Sequence, residues 1–214
     1  VLISGHMGGE SVYEMHGGTL SMEYFRLGLP LSSSPGPTRF EQTGGDVIHG
    51  ESLLPLQIQS ILASAPVTYV MSGGTLHAMS GLHIEASPNC HAALQITDPT
   101  ADITIGQEFI LWQGAEFKAV SGTTIHLNDA RFQIQDDDPL KVADLNKVRL
   151  IFEGDPAKAR RLEVAGVDLG AVLAGFDSNF AIDTLQIGGD AGVGWVQLVD
   201  EYSHARANYR ETLY

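Results

Sequence analysis

Three glycine pairs recur at nearly equal intervals early in this chain, each between short stretches that alternate apolar and polar residues. They are Gly17-Gly18 in VYEMHGGTLSM, Gly44-Gly45 in RFEQTGGDVIH and Gly73-Gly74 in TYVMSGGTLHA. Gly17 to Gly44 is 27 residues, and Gly44 to Gly73 is 29. Glycine inside a strand weakens it and marks a bulge, a corner or a close approach of another backbone. A glycine that returns at a fixed interval is a corner built once and repeated, and repeats of this length belong to stacked architectures. Two weaker copies follow. ALQITDPTADITIG carries Asp98-Pro99 at the corner, and EFKAVSGTTIHL carries Ser121-Gly122. The period is about 24 to 29 residues over five copies.

Each copy has the same grammar. A short alternating strand leads into the corner, a second strand such as Thr75-Leu76-His77-Ala78 leaves it, and several copies add a third. The third strands are YFRLG at 24–28, LHIEA at 82–86, FILWQ at 109–113 and RFQIQ at 131–135. Three short strands in one period are one coil of a parallel β-solenoid, each coil burying its apolar side against the next. The sequence therefore predicts an all-β chain with a parallel solenoid of about five coils over residues 1–135. At ~4.8 Å per coil, that is a rod of roughly 24 Å. The alternative is an antiparallel β-sandwich, which also has many short strands. It is disfavoured because Asn-Gly and Asp-Gly hairpin turns are scarce. The 24 glycines, without a collagen-like triplet, and an apolar fraction of 43% suit short strands around a real core.

Two stretches interrupt the repeat. LPLSSSPGPT, 29–38, reads as a loop. In LLPLQIQSILASAP, 53–66, Leu54, Ile58, Ile61 and Leu62 have helical spacing and predict a short helix or a bulging side of the coil. After Gln135 the character changes. The acidic stretch 136–146 reads as a linker, and 147–214 as a β-rich capping or assembly module. Strands are expected at 147–154, 160–166, 180–189 and 194–202, and one or two helical turns at 168–176 with Asp168 as N-cap. The chain begins at Val1 and stops at ETLY within an apparent strand, which reads as a mature or partial chain.

Charge excludes some partners. Twelve basic against 26 acidic residues give a formal net charge of -14. Such a surface repels phosphate backbones, so nucleic acid is not expected. No apolar run reaches the 18 or more residues of a membrane helix, so insertion is not expected either. Cys90 is the only cysteine, so no intrachain disulfide can form.

Candidate chemistry is thin. His77 and His126 take equivalent positions after their corners, two coils or ~10 Å apart, with His49 shifted by one residue. His83, Cys90 and His91 cluster in HIEASPNCH, but their spacing matches no closed zinc motif. Asp136, Asp137 and Asp138 are the candidates for Ca²⁺, although they lack the Asp-x-Asp-x-Asp-Gly loop. Asp129 and Arg131 on one strand face, with Lys118 a coil-side away, are the nearest approach to a polysaccharide-cleaving site. No nucleophile elbow and no phosphate-binding glycine loop is present. The expectation is no enzyme, no cofactor and no bound metal.

The glycine-pair units, above all RFEQTGGDV at 39–47 followed by TYVMSGGTL, resemble the F-x-Q-S-G-G-T repeats of large secreted bacterial proteins of the autotransporter-like and PEP-CTERM (exosortase-sorted) kind. The string LEVAGVDLGAVLAGFDSNFAIDTLQIGG at 162–189, with VQLVDEY and ETLY, is similar to the segment that follows such repeats. The resemblance spans 12–135 by repeat and 147–214 by motif. It implies an extracellular, surface-associated β-solenoid and carries no catalytic set. The corner glycines Gly17, Gly18, Gly44, Gly45, Gly73, Gly74 and Gly122 are then structural. The expected function is structural or adhesive, as a filament- or surface-layer-forming subunit or a fragment of a larger surface protein. The expected partners are other copies, end to end, other surface proteins, or glycans. The alternative is a carbohydrate-binding or polysaccharide-cleaving β-helix.

Overall fold

The computed structural model describes residues 2–3, 9–28, 36–50, 52–112, 114–134, 144, 148–153, 160–165, 180–181, 184–190 and 193–199. All regular structure among them is β. The first coil holds β2 (Ser11–Met15), β3 (Thr19–Met22) and β4 (Arg26–Leu27), preceded by β1 (Leu2–Ile3). The second holds β5 (Thr38–Gln42), β6 (Asp46–His49) and β7 (Leu56–Ser60), and the third β8 (Val67–Met71), β9 (Thr75–Ala78) and β10 (Leu82–Ala86). The next two are β11 (Ala92–Ile96) with the long β12 (Asp102–Leu111), and β13 (Ala115–Ala119) with the long β14 (Thr123–Ile134). Five strands follow: β15 (Val148–Glu153), β16 (Arg160–Ala165), β17 (Phe180–Ala181), β18 (Thr184–Asp190) and β19 (Val193–Val199).

These strands stack as a parallel β-solenoid with three faces. The first is a five-stranded sheet in the order β13-β11-β8-β5-β2. Five rungs are four full returns of the chain, so the solenoid makes about four turns where the sequence suggests five coils. The second face stacks β3, β6, β9 and the first halves of β12 and β14. The third stacks β4, β7, β10 and the second halves of β12 and β14. In the two long strands, the corner between second and third faces is a register shift between Gly106 and Glu108, with Gln107 at φ 55°. The parallel ladder runs on past residue 146: β15 pairs with β14 on the second face and β16 with β14 on the third. β18 and β19 then form an antiparallel pair, with β19 on β16.

Of the two readings of 53–66, the short helix does not form and the stretch is a side of the coil. Its centre is β7, paired in register with β10 from Leu56↔Leu82 to Ser60↔Ala86. The period in LQIQS is two: Leu56, Ile58 and Ser60 are buried, while Gln57 and Gln59 face outward. A neighbouring ladder on both sides overrides a weak helical spacing, and Leu54, Ile61 and Leu62 end up exposed at the flanking corners. The expected helical turns at 168–176 and the expected cation ligands Asp136, Asp137 and Asp138 lie outside the described residues.

The core is built in columns. Along the first face, Phe40, Tyr69, Leu94 and Phe117 occupy equivalent inward positions and are all buried. Phe40 and Tyr69 meet edge to face at 4.9 Å, and Phe109 stacks on Phe132 at 4.6 Å, geometries that add about 0.5–1.5 kcal/mol beyond burial. Polar atoms inside are satisfied at the glycine corner. The Tyr69 hydroxyl donates to Gln42 Oε1 at 2.5 Å. Gln42 Nε2 in turn donates to the carbonyls of Gly45 and Thr75, each at 2.9 Å. Burial pushes the Tyr69 phenol far up, so the hydroxyl stays a donor. Tyr69→Phe strands the buried Gln42 oxygen, and should cost about 1–3 kcal/mol in urea unfolding. An unchanged midpoint would show that water reaches Gln42.

Candidate functional site

The densest polar arrangement on the outer surface lies on the third face. Strand alternation sends every second residue outward, and parallel stacking lines those residues up from coil to coil. One outward column reads Arg26, Gln57, His83, Ile110. Beside it, Gln59 opposes Glu85. Trp112 carries that column on, since its N–H donates to the Ile84 carbonyl at 3.0 Å.

Except for His83 and Glu85, neighbours on β10, these side chains bond across coils rather than along the chain. The Arg26 guanidinium donates to Gln59 Oε1. Gln59 Nε2 donates to Glu85 Oε2 at 2.6 Å, and Gln57 Nε2 reaches Glu85 Oε1 at 3.5 Å. His83 lies between two carboxylates, with Nε2 at 2.7 Å from Glu108 and Nδ1 at 3.5 Å from Glu85. Glu108 can lean toward His83 because Gly81 has no side chain: a Cβ there would meet the Glu108 side chain at 3.0 Å. The Trp112 ring stands edge-on to His83 at 6.4 Å, with 40% of the residue exposed. The His83 hydrogen bond holds the Glu85 carboxyl below its ordinary range. Gln59, the His83 charge and Arg26 add to this, and burial opposes it. Glu85 is therefore an ionised acceptor at neutral pH.

The second face carries a different pattern. Thr19, Asp46, Thr75 and Asp102 form one outward column, in which Thr75 Oγ1 donates to Asp46. His77 and His126 flank Thr104 in the next column, two rungs or ~10 Å apart as their spacing predicts. His49 is one residue out of that column, which turns it inward, where it is fully buried.

The remaining candidates are dispersed. His83 is on β10, whereas Cys90 and His91 lie in the next corner, where the Cys90 thiol faces the Pro88 carbonyl at 3.7 Å. Among the described residues no group of three or more His, Cys, Asp or Glu is placed to hold a metal ion. Arg131 pairs with Glu108 of β12, just past a register shift that also spans Asp129. Lys118 is on β13 of the first face. The long β14 bends at this shift, which alternation along a straight strand cannot reveal. Of the third-face set, only His83 stands out in the sequence. The others are found by reading one coil length ahead: Gln57 to His83 and Gln59 to Glu85 are both 26 residues.

The corner glycines adopt two roles. Gly18, Gly45, Gly74 and Gly122 have positive φ. Gly44 and Gly73 lie close over the carbonyl of the coil before, that of His16 and of Thr43 respectively.

No protein-family model matches the chain, and no curated protein or solved structure matches it. Among the described residues no helix is long and apolar enough to cross a membrane.

Proposed function

We propose that this chain is a structural or adhesive β-solenoid of the cell exterior that joins a second copy of itself through its first coil. The observation that carries this reading is Tyr13. It holds the inward position that Phe40, Tyr69, Leu94 and Phe117 hold in later coils. Those four are at most 3% exposed, whereas Tyr13 is 40% exposed. Val12 beside it is 46% exposed. Tyr13, Met15, Leu20 and Phe40 line a shallow hollow at this end. A core position left exposed gains stability when another coil covers it, and end-to-end contacts that do not close on themselves build filaments. The surface location is supported by the resemblance of the glycine-pair repeats to those of secreted bacterial proteins.

Sedimentation over a hundredfold concentration range tests the reading. The expected result is mass that grows with concentration, and loss of that growth in Tyr13→Asp. A monomer at every concentration overturns it.

A further inference from the structure

We propose that the third face binds a neutral glycan, with Trp112 stacking against a pyranose ring and Gln57, Gln59 and Glu85 hydrogen-bonding its hydroxyls. The inference does not depend on end-to-end joining, because it concerns the flank of the solenoid rather than its end.

Three features point to this ligand class. First, the side chains are planar and fork-shaped: two amides and a carboxylate, braced by a guanidinium and an imidazole. Such groups pair two at a time with adjacent donors and acceptors, which is what vicinal hydroxyls offer. Bonding capacity remains. Among the described residues, Gln57 Nε2 makes one long contact at 3.5 Å, and a carboxylate offers about four acceptor positions. Second, these groups are preorganised. Arg26 holds Gln59, Gln59 holds Glu85, and His83 is held between Glu85 and Glu108. The rotamer entropy lost on binding is therefore mostly lost already on folding. Third, among the described residues the polar row ends at an exposed tryptophan. A sugar ring presents an apolar C–H face beside its hydroxyl edge, and Trp offers a large, stiff surface to such a face.

Spacing and charge narrow the class. Gln59, Glu85 and Trp112 follow one another at ~4.8 Å per rung, so the row covers about 10 Å along the solenoid axis. That suits more than one ring of an extended oligosaccharide. Two carboxylates in the row and a formal charge of -14 on the chain disfavour an acidic polysaccharide. A cation is disfavoured by the donor side chains of Arg26, Gln57 and Gln59 among the acceptors.

The test is titration of the full chain with cellohexaose, xylohexaose, laminarihexaose and mannohexaose, with oligogalacturonate as the anionic control. Binding is followed by calorimetry. At least one neutral oligosaccharide should bind, with Trp112→Ala weakening it roughly tenfold or more. Gln57→Leu, at a half-exposed position, should weaken it too while keeping the melting temperature. Tyr13→Asp should leave binding intact even where it abolishes association. The proposal is overturned if none of the neutral sugars binds, if oligogalacturonate alone binds, or if binding survives both Trp112→Ala and Gln57→Leu unchanged.

Discussion

Gly74→Ala should lower the unfolding midpoint of this solenoid steeply, while Gly17→Ala leaves it almost unchanged. Gly17 is the first glycine of its pair and Gly74 the second of another, so the contrast combines the demand of stacking with that of a left-handed backbone. Gly74 has φ +78°, and a Cβ there would overlap the Gly45 carbonyl oxygen and come within 2.8 Å of the Gly44 carbonyl carbon. Both are backbone atoms of the coil before, tied into a ladder by the Thr75 N–H to Gly45 carbonyl bond at 2.9 Å, and cannot rotate away. The same Cβ would sit 2.9 Å from Gln42 Nε2, and so would disturb the buried Tyr69–Gln42 bond. A left-handed conformation costs an L-residue about 1–2 kcal/mol, and overpacking a close contact about 1–3 kcal/mol. The expected loss is about 2–5 kcal/mol, measured by urea denaturation. Gly17 lies in the first coil, with no atom within 4 Å of a Cβ and no positive φ. Its alanine variant should stay within about 0.5 kcal/mol of the parent. Equal losses at the two positions would mean that neither the coil beneath nor the left-handed backbone at Gly74 selects glycine.

That contrast also shows why the architecture is legible in the sequence and the site much less so. A corner in a tight stack makes a demand at one residue that only glycine meets, so Gly44-Gly45 and Gly73-Gly74 print the coil length onto the chain. Strand and face follow from alternation. The demand relaxes where the chain bends differently: β12 and β14 pass from second to third face through the shift at Gly106–Glu108, with no glycine pair to announce it. The third-face network is harder still to read. Apart from the His83–Glu85 contact within β10, its bonds join residues 25 to 33 apart, such as His83–Glu108 and Arg26–Gln59, and no window of a dozen residues contains both partners. The spacing also drifts, because corners differ in length. A column becomes legible only once the register is known, and the register is fixed by backbone pairing rather than by the outward side chains themselves. The ambiguity of the stretch 53–66 has the same origin. Its outward glutamines answer to β10, and only the sheet reveals that Gln57 and Gln59 are a strand's solvent side.

His49→Leu should stabilise the protein, and more so in mild acid than at neutral pH. His49 faces the interior between Met22 of one coil and Ala78 of the next, and is fully buried. Both ring nitrogens are buried and neither meets hydrogen-bond geometry among the described residues, although the Glu23 backbone lies close enough to favour the charged form. An orphaned buried polar group costs about 1–3 kcal/mol, and an apolar replacement of similar shape removes that cost. Burial also pulls the imidazole pKa below its ordinary value of 6.5, with the Glu23 backbone partly opposing. The sign follows from proton counting. Below pH 6.5 the unfolded chain binds a proton at His49 that the folded chain resists, so unfolding becomes easier as pH falls. Stability from this residue is complete above pH 6.5 and declines below it, by at most about 1.4 kcal/mol per pH unit, levelling off once the folded form protonates as well. In His49→Leu that contribution disappears. The variant should therefore gain about 1–3 kcal/mol at pH 7.5, and its advantage should widen at pH 5.5. Urea melts of both proteins at the two pH values measure this directly. A parallel pH response in the two proteins would mean that His49 stays neutral in the unfolded chain or charged in the folded one, and would overturn its assignment as the buried acid-sensitive group.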